Sequence, residues 1–199
     1  MPQTENMRRA ALVTGGAKGI GRAVCLALAE NGMNIAVNYA GSAAAAEETA
    51  AACRAFGVQA ITLQADVRSP EACQNLVEDT AAAFGRIDVL VNNAGITRRH
   101  KPEEFPREDW DAVINVNMNA VWFLSQLAGQ IMLKQGYGKI INMASMNCYF
   151  GGTTVPPYTA AKHAVAGLTK ALSNDWAGRG ICVNAIAPGY IATALNTAL

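Results

Sequence analysis

Short apolar runs alternate with longer amphipathic stretches along the chain. Ala10–Thr14, Ile35–Tyr39, Val58–Ala65, Ile87–Val91, Lys139–Ala144 and Ile181–Ile186 each give four to eight mostly apolar residues, the length and texture of buried strands. Between them the spacing predicts helices over about 20–30, from Ser42 to Gly57, from Ser69 to Gly85, over 107–135 and over 157–177. Ser42 and Ser69 stand where a helix N-cap is expected. Pro70 and Glu71 strengthen the second start: a first-turn proline, then an acid at the positive end of the dipole. Asn31-Gly32, Gly85, Gly136 and Gly178 supply the stops. Continuously apolar strands separated by helices imply a parallel sheet covered on both faces. Right-handed crossovers then make it a doubly wound α/β sheet of Rossmann type, with residues 1–199 forming one domain.

Composition narrows the class. Apolar residues make up 51% of the 199 and charged residues 16%, enough apolar surface for a sizeable core rather than a disordered chain. The net charge of +1 gives no reason to expect nucleic acid or an anionic membrane as partner. No apolar run approaches the roughly 20 residues of a membrane span, and the polar opening Met1–Asn6 has no signal core. Cysteines at 25, 53, 73, 148 and 182 are odd in number and widely spaced, which suits free thiols in a cytoplasmic protein. With only His100 and His163 beside them, no metal site is expected.

Two constellations carry chemistry. Thr14-Gly15-Gly16-Ala17-Lys18-Gly19-Ile20-Gly21 lies between the first strand and the first helix. Glycines there let the backbone turn tightly and approach a pyrophosphate, and the helix N-terminus adds free N–H groups. No Lys-Ser or Lys-Thr follows the last glycine, so this is not a mononucleotide P-loop. After the second strand, Val37-Asn38-Tyr39-Ala40-Gly41-Ser42 contains no acid to hold a free ribose 2′-hydroxyl. Nothing there repels a 2′-phosphate, and Lys18 offers it a charge. NADP is therefore favoured, NAD remains open, and Asn38 is a candidate ribose contact.

The second constellation is Tyr158 and Lys162, one helical turn apart on one face. A phenol titrates near 10 and is a poor base at neutral pH. An ammonium about 5 Å away, at an effective dielectric of about 20, favours the phenolate by roughly 3 kcal/mol, or about two pKa units. Ser145 lies at the carboxyl end of the fifth strand, where open parallel sheets place their ligands.

With Asp66-Val67, Asn92-Asn93-Ala94-Gly95, Asn117 and Pro188-Gly189 added in order, the chain resembles a short-chain dehydrogenase/reductase from about Arg9 to its last residue. The resemblance implies an NAD(P)-dependent oxidoreductase that interconverts a secondary alcohol and a ketone. It implies that Tyr158 is the general acid/base, Ser145 holds the substrate oxygen, Lys162 binds the nicotinamide ribose and tunes the tyrosine, and Asn117 holds a water. It further implies that Gly15, Lys18, Gly19, Ile20 and Gly21 shape the cofactor loop and that Asp66 and Val67 hold the adenine. Asn93, Ala94 and Gly95 would support cofactor and sheet. Pro188, Gly189, Ile191 and Thr193 would meet the nicotinamide end. An asparagine is unfavourable inside a long helix, so a backbone irregularity is expected at Asn117.

Substrate evidence is thinner. Arg98-Arg99-His100-Lys101 follows the Asn-Asn-Ala-Gly turn and is either a site for a carboxylate or phosphate or a solvated loop. Tyr149, Phe150 and Tyr190 line the pocket or pack as a lid. Gly95-Ile96-Thr97-Arg98 is similar to 3-oxoacyl-carrier-protein reductases. The stretches around Ser145, Tyr158 and Asn184–Asn196 resemble the gluconate 5-dehydrogenase and 2-deoxygluconate 3-dehydrogenase branch, which favours a sugar acid. A non-catalytic dinucleotide-binding sensor or scaffold is the reading of another class. His163 lies roughly 100° around the helix from Lys162 and Cys148 has no evident base, so neither is expected to act. The family runs to about 250 residues. Its last strand, last helix and tail, which the resemblance ties to a homotetramer or homodimer, have no counterpart by Leu199.

Overall fold

The structure, a computed structural model, describes residues 8–191. Strands and helices alternate: β1 (Ala10–Val13), α1 (Gly19–Glu30), β2 (Asn34–Tyr39), α2 (Ala43–Arg54), β3 (Ala60–Gln64), α3 (Pro70–Phe84), β4 (Val89–Asn92), α4 (Arg107–Ile114), α5 (Ala120–Gln135), β5 (Gly138–Met143), α6 (Pro156–Trp176) and β6 (Ile181–Ile186). All neighbouring strands are parallel, in the order β3-β2-β1-β4-β5-β6. The order reverses between β1 and β4, and this switch point opens a crevice at the carboxyl ends of the strands.

Alternate residues of each central strand feed opposite layers. Leu12, Leu90, Ile140 and Val183 pack with Leu76, Phe84, Leu124, Met132 and Leu172 under α3, α5 and α6. Ala11, Val13, Ile35, Val37, Val89 and Val91 pack with Cys25, Ala29, Ala46, Ala50 and Cys53 under α1 and α2. Small residues on those two helices let them lie close to the sheet. Each fully buried Leu or Ile contributes roughly 1.5–3 kcal/mol. At the amino ends, the buried Asp88 carboxylate takes two bonds from Arg86 and the Ala10 amide at 2.9 Å, which joins β1 to β4.

The helix signals hold with four differences, of which one is that α6 ends at Trp176 and a 3-10 turn, Ala177–Arg179, follows, so that Gly180 at φ +85° and not Gly178 supplies the left-handed stop. Ser69 caps α3 as expected, accepting from the Ala72 amide at 3.2 Å. Ser42 occupies the cap position of α2, but its side chain makes no capping bond; the Ala46 amide goes to its backbone carbonyl instead. That helix ends at Arg54, and Gly57 closes the following turn at φ +77°. The expected 107–135 helix is one continuous rod interrupted by a π segment, Asn115–Asn119, in which the Ala120 amide reaches back five residues to Asn115 O. Asn117 sits inside it, so the irregularity expected from that asparagine is present. Among the described residues no helix is long and apolar enough to cross a membrane.

Candidate active site

The glycine loop is clamped from below. Thr14 Oγ1 accepts the amides of Asn93 and Ala94, each at 3.0 Å, while Asn93 Nδ2 donates to Thr14 O at 2.9 Å and Gly15 O at 3.2 Å. Gly15 takes φ +61° and Gly19 φ +54°, a region L side chains rarely adopt. A Cβ on Gly21 would lie 2.2 Å from Gly15 O. The helix thus presses against the loop closely enough that only glycine fits. Lys18 stands at the N-cap of α1 without a capping side-chain bond, and the first-turn amides face the crevice end of the sheet. Uncapped amides on a glycine-lined turn are the donor set a pyrophosphate needs, so the loop fits a dinucleotide.

One expected adenosine contact is arranged differently. Asn38 is turned inward. Its Oδ1 accepts from the Gly15 amide at 3.2 Å, and its Nδ2 donates to Leu63 O and Ala65 O at 3.3 and 3.1 Å. It therefore props the loop and leaves no polar atom for a ribose, because a buried amide must satisfy itself within the protein. Asp66 is clasped by Arg68 through both carboxylate oxygens, which holds its carboxyl below the usual range. Val67 is buried against α3.

The four residues expected to carry the reaction come from three elements. Asn117 is wholly buried; its Nδ2 donates to Ile96 O at 2.8 Å and Val113 O at 2.9 Å. Its Oδ1 has no partner among the described residues and would lie 2.9 Å from a Cβ on Gly95, which explains the glycine there. Ser145 lies two residues beyond β5, where its Oγ accepts the Asn147 amide at 3.2 Å and stands near enough to the Tyr158 hydroxyl to favour its ionised form. Lys162 is only 4% exposed, lies over the Tyr158 ring at 5.4 Å from Nζ to centroid, and donates to Met143 O at 2.5 Å.

The electrostatics correct the expectation of an acidified phenol. Burial pushes Tyr158 above the ordinary phenol value, and the Ser145 hydrogen bond offsets this only in part. Burial pushes Lys162 down to about 8, with Cys148 opposing weakly. The cause is burial: Lys162 Nζ lies 5.4 Å from the Tyr158 ring centroid and is bonded to Met143 O, and both groups lose water. Desolvation of both groups then outweighs their mutual attraction.

The remaining candidates separate into near and far. Pro188 O accepts the Met146 amide at 3.1 Å and Ile186 O the Ala144 amide at 2.8 Å, so the Pro188-Gly189 turn lies beside Ser145. Ile191 ends the described segment; Thr193 lies outside the described residues. Arg98 is not a free anion receptor. Asp109 pairs with it at 3.3 Å and with His100 at 2.7 Å, so the charge that was to meet substrate is already met. Tyr149 and Tyr190 are each 79% exposed, and Phe150 also faces solvent, so they stand at the rim rather than as packed walls. His163 is exposed and turned to Thr159 O. Burial pushes the Cys25 and Cys73 thiols up, which makes them inert. The sequence reading missed Met143, whose carbonyl is the lysine's anchor, since a backbone oxygen leaves no residue-type signal.

The comparisons place this arrangement. The family model for short chain dehydrogenases matches residues 9–199. A 2-dehydro-3-deoxy-D-gluconate 5-dehydrogenase of Bacillus subtilis is 49% identical over 189 residues, covering 94% of this chain and 72% of the relative. A 3-oxoacyl-[acyl-carrier-protein] reductase of Synechocystis is 46% identical over 183 residues, covering 92% and 74%. A solved structure described as an NAD(P)-dependent gluconate 5-dehydrogenase, from Beutenbergia cavernae with NADP bound at low occupancy, superposes at a TM-score of 0.88. It is 45% identical and covers 96% of this chain and 75% of that one.

Proposed function

We propose, for a chain that belongs to the short-chain dehydrogenase family and is an NAD(P)-dependent oxidoreductase of alcohol and ketone groups, the interconversion of a hydroxyl and a keto group on a sugar acid of the gluconate type. The observation that carries the reading is the cluster of Ser145, Tyr158 and Lys162 at the carboxyl end of β5, across the switch point from the glycine loop.

Gly15, Lys18, Gly19, Ile20 and Gly21 would hold the pyrophosphate end of the cofactor, and Asp66 and Val67 its adenine. Ala94, Gly95, Pro188, Gly189, Ile191, Thr193 and Lys162 would hold its nicotinamide end. When bound, the cofactor supplies or accepts the hydride. Ser145 Oγ holds the substrate oxygen and aligns it with Tyr158. In oxidation the Tyr158 oxygen takes the alcohol proton as its own phenol proton leaves along the relay toward Lys162 and water; in reduction the same protons move the other way. Lys162 is still mostly protonated at pH 7 with its value near 8, so it presents positive charge beside the ring. The orphaned Asn117 Oδ1 is the acceptor for a water that feeds protons to this group. NADP is the preferred form, since Lys18 is exposed at the loop and no acid follows β2. The working protein is a cytoplasmic homo-oligomer.

The sugar-acid assignment follows the Bacillus relative and the Beutenbergia structure. A 3-oxoacyl thioester is the second reading, which the Synechocystis relative favours. A panel of gluconate-type acids and 3-oxoacyl thioesters, assayed with NADP(H) and NAD(H), separates them. We expect the highest kcat/KM on a keto- or hydroxy-gluconate with the phosphorylated cofactor. Turnover confined to thioesters overturns the substrate, and tight cofactor binding with no turnover on either class overturns catalysis.

A further inference from the structure

A chain of buried hydrogen bonds crosses the centre of the molecule. Asn92, the last residue of β4, gives one amide hydrogen to Ser125 Oγ on α5 at 3.0 Å and the other to Asn142 Oδ1 on β5 at 2.9 Å. Asn92 and Asn142 face each other in strand register. Asn142 then donates to Thr169 Oγ1 on α6 at 3.0 Å, and Thr169 donates to Val165 O at 2.8 Å. All four side chains are buried. Asn92 Oδ1 has no partner among the described residues. An apolar set of the same shape would avoid that unpaired oxygen, so stability alone does not account for the chain of polar groups.

Each member sits on an element that carries the candidate site. Asn92 precedes Asn93, Ala94 and Gly95. Ser125 lies on α5, directly beyond the π segment that holds Asn117. Asn142 precedes Met143, whose carbonyl receives Lys162, and lies three residues before Ser145. Thr169 follows Lys162 by seven residues, nearly two helical turns, and so shares its face of α6. That face is tied to β5 at two points: Lys162 on Met143 O and Thr169 on Asn142.

We propose that Asn92, Asn142 and Thr169 are positioning residues, whose linked side chains fix the axial register of α6 on β5 and thereby the height of Tyr158 and Lys162 over Ser145. The inference rests on the acid–base role proposed for Tyr158. Apolar contacts tolerate a slide along a helix, whereas an amide-to-hydroxyl bond is satisfied at one setting. One residue of helix rise is about 1.5 Å, and a misplacement of about 1 Å costs on the order of a hundredfold in rate. The titratable groups facing Lys162 are Tyr158 on its own helix and Cys148 from the segment after β5.

The test replaces the hydroxyl at the end of the chain. Thr169→Val keeps the volume and removes the acceptor; Thr169→Ser returns the hydroxyl. Thr169→Ala, a better helix former, serves if the valine variant does not fold. Two readouts are taken on folded protein: kcat with KM, and titration of the Tyr158 phenol by tyrosinate absorbance, with Tyr158→Phe as blank. We expect Thr169→Val to lower kcat roughly ten- to a hundredfold with little change in KM or cofactor affinity. The phenol titration should move upward, and Thr169→Ser should restore both. A lowered Tm with unchanged kcat and unchanged titration overturns the proposal. If the native chain turns over no substrate while the titration still moves with valine and returns with serine, the proposed function fails and the positioning role stands.

Discussion

Lys162 is a cation placed where a cation is costly. Its ordinary value falls to about 8 because the amine is desolvated. The unfolded chain, with a value near 10.5, therefore holds a proton that the folded chain has lost across that interval. Stability from this group rises as pH goes from about 8 to about 10.5 and is flat below, where both states are protonated. Lys162→Met removes the penalty but also the bond to Met143 O. We expect the cofactor-free variant to be more stable by about 2 kcal/mol at pH 7, to lose the rising limb above pH 8, and to be inactive. Denaturant titrations at a series of pH values measure it; a variant less stable than the parent at pH 7 contradicts it. The four-residue spacing, with Ser145 at the end of the fifth strand and the family resemblance, located the pair in the sequence. The direction of the shift was not legible, because it depends on where Nζ points and on how much water each group loses.

At the scale of elements, the turn between β1 and α1 carries the cofactor reading. Gly21 is the position to test, since a Cβ there meets Gly15 O at 2.2 Å and Asn93 Nδ2 at 2.6 Å. Gly21→Ala must push α1 away from the loop. We expect a loss of about 1–3 kcal/mol in stability and at least tenfold weaker NADPH binding, or about 1.4 kcal/mol, read by nicotinamide fluorescence; native affinity would refute the close-packing argument. Such elements were legible because glycine, proline and capping serines act locally. Ser69 behaved as its neighbours Pro70 and Glu71 suggested. Ser42, followed by four alanines, looked equivalent but makes no cap. The π segment was foreshadowed only by one asparagine out of place. Asn142 and Thr169 were silent, and Asn92 was visible only as the first residue of the Asn-Asn-Ala-Gly motif, because polar residues in a strand or helix do not announce which partner satisfies them.

For the whole molecule, parallel β strands split into two windings that meet between β1 and β4. Topology brings the loops after β1, β4 and β5 to one edge, where the glycine loop and Ser145 lie, and α6 carries Tyr158 and Lys162 on from there. That convergence followed from alternation and right-handed crossovers, so the fold was largely readable in the sequence, while the candidate catalytic residues were named through the family resemblance. The substrate side was not. Arg98 looked like an anion receptor until Asp109, eleven residues on, took its charge. Asn38 looked like a ribose ligand until the carbonyls of Leu63 and Ala65 took its amide. Both fates depend on contacts between segments that meet only in the folded chain. The proposed reaction turns on the Tyr158 oxygen as the atom that gives and takes the proton. Its most direct test is steady-state turnover of Tyr158→Phe beside its NADPH affinity. We expect kcat to fall by roughly a hundred- to ten-thousandfold while the dissociation constant for NADPH stays near the parent's. Turnover within a few fold of the parent would contradict it.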